Sequence, residues 1–156
     1  MKYLTLILSI ILFSCANTKE TASNNEEITF KSIEKNNASS FENPTTKTIV
    51  TKAEFEKTWN EAWSRFSDIP QIPTIDFNQN QLLLIALGAK NNGGYGLEIE
   101  KITETKNELI VNYFETKAGE KCVTTQAIVF PFELIEIKKS TKKVSFNSSE
   151  KTIDCN

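Results

Sequence analysis

The chain has 156 residues, with 18 Lys and Arg against 20 Asp and Glu and a net charge of −2 at pH 7. That balance supplies no basic field for a polyanion, so nucleic acid is not an expected partner. Histidine is absent, which excludes a His-based catalytic triad and a His-containing zinc site.

The N-terminus reads as an export signal. Lys2 precedes LTLILSIILF at residues 4–13, an apolar run well short of the ~20 residues that span a bilayer. Leu12, Phe13, Ser14 and Cys15 then follow the pattern of a bacterial lipobox. The expectation is a signal peptide over residues 1–14 and lipidation of Cys15, with the acyl chains contributing ~0.8 kcal/mol per buried methylene. The expected location is the bacterial cell envelope, lipid-anchored, at the outer membrane.

With Cys15 acylated, Cys122 and Cys155 remain in an oxidising compartment. A disulfide between them is the natural expectation; two separate thiols are the alternative. Residues 15–46 are rich in Asn, Thr, Ser and Glu and read as the lipidated cysteine followed by a flexible tether, because such a stretch buries too little to offset its ordering entropy. The island ITFKSI at 28–33 admits a local contact or an extra strand, and tether is the favoured reading.

One domain is expected over residues 47–146, followed by a polar tail at 147–156 that carries Cys155. A short strand at 48–51 leads into a helix. Thr51 and Glu54 have the spacing of a capping box. Phe55, Trp59, Ala62, Trp63 and Phe66 then recur on one helical face. The shared stripe makes both tryptophans core residues. Pro70 and Pro73 prevent continuation.

Strands follow. LLLIAL at 82–87 is the continuous apolar run of a strand covered on both faces. GLEIE at 96–100 alternates, and its order breaks at Lys101 and Ile102, where a bulge is expected. LIVNYF at 109–114, VTTQAIVF at 123–130 and FELIEI at 132–137 read as further strands, and VSF at 144–146 as an edge strand. The predicted fold is α+β, with one N-terminal amphipathic helix packed on a mostly antiparallel sheet of five to six strands.

Four of the five glycines fall in GAKNNGGYG at 88–96. Gly88 and Gly93 have P-loop separation, but Gly94 and Tyr95 stand where Lys and Ser or Thr are required, and a strand follows. Nucleotide binding fails on both counts. DFNQN at 76–80 opens like a calcium loop but has Gln81 and Leu87 in place of the required Gly and Glu. No metal, cofactor or catalytic residue is assigned. Two readings of the glycine loop stay open. In one, Gly93 and Gly94 make a hairpin turn and Tyr95 starts the next strand. In the other, Asn92, Gly93, Gly94, Tyr95 and Gly96 form a partner-binding loop, with glycines adopting positive φ or admitting a close backbone and Tyr95 as an interface anchor.

NGGYGLEI at 92–99, CVTTQAIVFPF at 122–132, EFEKTWNEAW at 54–63 and IDF at 75–77 together resemble the C-terminal domain of the PrcB family. Members are described as subunits of a secreted protease complex. The resemblance implies a non-catalytic lipoprotein that binds or stabilises a secreted protease or similar envelope protein. The competing expectation is a structural or small-ligand-binding envelope lipoprotein, which a sizeable apolar pocket beside the sheet would favour.

Overall fold

The structure, a computed structural model, describes residues 25–155. The expected signal peptide, Cys15 and the first part of the expected tether lie outside the described residues. In chain order the elements are β1 (Glu26–Ile28), β2 (Lys31–Asn36), β3 (Pro44–Ile49), α1 (Lys52–Ala62), β4 (Asn80–Leu87), β5 (Tyr95–Glu104), β6 (Glu108–Ala118), β7 (Phe132–Lys138) and β8 (Lys143–Ile153).

The helix begins where the capping box places it. Thr51 Oγ1 accepts from the Glu54 N–H at 3.2 Å. The Glu54 carboxylate reaches back to the Val50 N–H at 3.1 Å, one residue before the usual partner. That backbone bond is the chief cause of a Glu54 pKa below the ordinary glutamate value. Phe55, Trp59, Ala62 and Trp63 are buried, whereas Phe66 is 37% exposed at the edge of the stripe. The helix ends at Ala62 with Trp63 as its C-cap, well before Pro70, whose carbonyl instead serves the core by accepting from Trp59 Nε1 at 3.1 Å.

Eight strands form two four-stranded sheets, ordered β1-β5-β6-β8 and β2-β7-β4-β3. The described residues are therefore mostly sheet with one short helix, and the expected single sheet of five to six strands is corrected. The helix is not N-terminal either, since three strands precede it. Strand β4 explains the layering. Leu82, Leu84 and Ala86 join Phe55, Trp59 and Trp63 in a cluster beneath the helix. Leu83, Ile85 and Leu87 join Leu97, Ile102, Leu109 and Val111 between the two sheets. A strand buried on both faces needs an unbroken apolar run, and each fully buried Leu or Ile contributes roughly 1.5–3 kcal/mol.

Three segments depart from expectation. Residues 26–28, 31–36 and 44–46, placed in the tether, are strand. Their polar composition suits sheet edges, where backbone pairing holds a strand and charge discourages unwanted partners. Ile28 and Ile33 each give one apolar side chain to a core cluster. The expected strand at 123–130 is instead a loop with a single bridge, Lys90 to Val129. The expected edge strand at 144–146 is the start of β8, which runs parallel to β6 from Lys143 to Ile153 and absorbs most of the expected tail. In β5 the register shifts between Ile99 and Lys101, immediately before the predicted position.

Candidate functional site

The glycine-rich connection leaves β4 at Gly88. This residue has φ of +72°, and a Cβ there would lie 2.8 Å from Pro44 N and 2.9 Å from Glu42 O. Both the dihedral and the space demand glycine. Gly88 alone among the described residues has positive φ, so the positive-φ role expected of Gly93 and Gly94 is corrected. What those two provide is close approach. A Cβ on Gly93 would collide with Thr125 Oγ1, and one on Gly94 would lie 2.7 Å from Thr124 Cγ2 and 2.8 Å from Ala118 Cβ. What the two glycines admit is the protein's own side chains, those of Thr125, Thr124 and Ala118.

Hydrogen bonds lock the two loops together. Gly93 N–H donates to Thr125 O at 2.9 Å, and Lys90 and Val129 exchange two backbone bonds of 2.8 and 3.0 Å. Asn92 Oδ1 accepts from Gly94 N–H at 2.8 Å, stiffening the turn from within. Gly94 O in turn accepts from Ala118 N–H at the end of β6. Tyr95 is half-buried and opens β5 opposite Lys117. Its ring centroid lies 5.6 Å from Lys90 Nζ, and that ammonium is bound to Glu115 at 2.6 Å. Gly96 follows within β5, opposite Thr116.

The second loop, residues 119–131, is clamped at its start. Cys122 and Cys155 form a disulfide with a Cα–Cα separation of 5.2 Å, inside the ~7 Å limit for a bridge. Gly119 N–H donates to Ile153 O at 2.9 Å beside it. Further along, Phe130 N–H donates to Asn37 O at 2.8 Å. Between these fixed points Val123 and Ile128 turn outward, whereas Val129 is half-buried. Val123 is fully exposed at 101% and Ile128 is 64% exposed.

Of the sequence-predicted site residues, Asn92, Gly93, Gly94, Tyr95 and Gly96 lie together beside the 119–131 loop, and Cys122 and Cys155 are joined. Cys15 lies outside the described residues. Sequence reasoning missed Val123 and Ile128, which it buried in a strand. The signal available was charge: no charged residue occurs between Lys121 and Glu133. Such a surface offers backbone groups, small hydroxyls and aliphatic contacts. Nearby carboxylates are engaged by lysines, Glu115 by Lys90 and Glu98 by Lys151.

Both loops fall in one recognisable stretch. Residues 82–138 match the family model described as PrcB C-terminal. The resemblance carried by the glycine loop and the cysteine-led segment therefore stands for this part of the chain. The PrcB-like stretch runs from β4 to the end of β7 and contains both loops whole. No curated protein and no solved structure matches the chain.

Proposed function

We propose that this protein is a lipid-anchored, non-catalytic component of the bacterial envelope that binds or stabilises a secreted protease or similar protein partner. The braced loop pair inside the PrcB-like stretch carries the reading, because it holds Val123 and Ile128 in solvent on an ordered frame. Exposed aliphatic side chains on a rigid support suit protein association, where less freedom is lost on binding. Tyr95 follows directly on Gly94, which packs against Thr124 of this loop, and in this reading it joins the contact. Anchoring through Cys15 at the outer membrane would keep the partner at the cell.

The small-ligand alternative has less support. The cleft beside the helix, bordered by Phe55, Ile72, Ile75 and Phe77, holds about 190 Å³, below the ~300–1,000 Å³ usual for ligand pockets. The hollow beneath the disulfide is larger, at about 590 Å³, but Lys117, Glu120, Lys121 and Asp154 make it polar.

Photocrosslinking from position 95 in intact cells, followed by mass spectrometry, tests the proposal. A protease crosslinked there supports it. Recovery of unrelated envelope components alone would sink it.

A further inference from the structure

The uncharged loop has a more specific shape than a sticky surface. From Cys122 to Gln126 the chain contains no helix, strand or turn and no residue of positive φ. Among the described residues, the amides of Val123 and Thr124 have no partner within the protein. The peptide offers two free backbone donors beside a Val123 side chain directed wholly into solvent, while Cys122 and Thr124 are half-buried.

Its ends, in contrast, are fixed. Cys122 is bonded to Cys155 immediately before Val123. Two residues beyond Val123, the Thr125 carbonyl is held by Gly93 N–H. Val129 is tied twice to Lys90, closing the far side. A peptide cleft captures an extended segment by pairing with its backbone and taking alternate side chains into pockets. Pre-fixing the segment removes the ordering cost that a free peptide would pay on binding. An uncharged segment also avoids placing an unpaired charge in an apolar pocket.

We infer that residues 122–126 occupy the substrate cleft of the bound protease as an extended strand, with Val123 filling a primary pocket that takes branched aliphatic side chains. This rests on the protease-binding reading and gives that reading its geometry. The association is noncovalent. Ile128 makes a second contact at the cleft rim, and the glycine loop supports the inserted segment from behind through Gly93 and Thr125.

The test uses the full chain in its native cells, with a photoreactive residue replacing Val123. Complexes of the wild-type chain and of V123D are also purified and assayed for hydrolysis of a valyl p-nitroanilide. Because Val123 is fully exposed, V123D should keep the wild-type melting temperature and a closed disulfide. The expected result is a crosslink to a peptide lining the protease cleft, and at least tenfold faster hydrolysis when V123D replaces wild type. Crosslinks to protease surface away from the cleft, with hydrolysis equal for the two complexes, would overturn cleft insertion and leave the protease partnership standing. If neither position 123 nor position 95 crosslinks to a protease, both readings fall.

Discussion

Gly93 donates its backbone N–H to the Thr125 carbonyl at 2.9 Å, across a gap that its missing side chain leaves open. The contact fastens the glycine-rich loop to the loop that carries Val123. A Cβ at position 93 would strike Thr125 Oγ1, the end of a side chain that Ala would remove. Gly93→Ala should therefore cost about 1–2 kcal/mol in the wild-type background and much less in Thr125→Ala. A double-mutant cycle by urea unfolding measures the difference. Equal costs in both backgrounds would show that the collision is relieved elsewhere.

The disulfide joins residues 33 apart in sequence. Closing that loop is worth roughly 3.7 kcal/mol by the chain-entropy estimate, less any native strain. Replacing both Cys122 and Cys155 by Ser should lower the urea midpoint accordingly. It should also speed proteolytic nicking within 120–128, where regular structure is absent. Free-thiol labelling of the unreduced, denatured soluble domain should find neither cysteine reactive.

Tyr95 is half-buried where the glycine loop enters β5. Tyr95→Ala should reduce partner capture at least tenfold while lowering the melting temperature by only a few degrees. Pull-down and thermal melting on the same variant decide between interface and core. A large fall in melting temperature with capture intact would make Tyr95 a packing residue.

Glu54 sets a pH dependence at the helix start. Its folded-state pKa is depressed, chiefly by the bond from Val50 N–H. A depressed carboxylate contributes stability that is present above its unfolded value and lost as pH falls through its folded value. Glu54→Gln should flatten this part of the acid limb in a stability-versus-pH series. Thr51→Ala, which removes the hydroxyl bound to Glu54 N–H, should cost about 1 kcal/mol across the neutral range. An unchanged acid limb in Glu54→Gln would place the titrating group elsewhere.

These sites differ in how openly the sequence declared them. The helix was legible because Thr51, Glu54 and the Phe55–Trp59–Trp63 stripe are local signals obeying one period. Strand β4 was legible because burial on both faces leaves a continuous apolar run. The division into two sheets was harder to see, since β1, β2 and most of β8, which lie at the edges of the two, are polar strands held mainly by backbone pairing. Val123 to Phe130 misled for the opposite reason. The Val-Thr-Thr and Ile-Val-Phe runs have strand propensity, but propensity yields to context. Here a disulfide, Pro131 and contacts to the glycine loop hold most of the segment away from either sheet. At the loop pair, the glycines announced a close approach without naming the Thr124 and Thr125 side chains as the groups approached.

The order of strands gives the PrcB-like stretch a particular place in the molecule. Strands β5 and β6 are the two inner members of one sheet, and β7 and β4 the two inner members of the other. All four belong to the stretch around residues 82–138, whereas every outer strand and the helix come from flanking sequence. The matched portion is thus a trunk whose bark is supplied by its neighbours in the chain. Cut free, it would expose four unpaired strand edges and the apolar face now covered by Phe55, Trp59 and Trp63. Both loops spring from the trunk, yet each is also tied to the flanking sequence, through Glu42 for the first and through Asn37, Ile153 and Cys155 for the second.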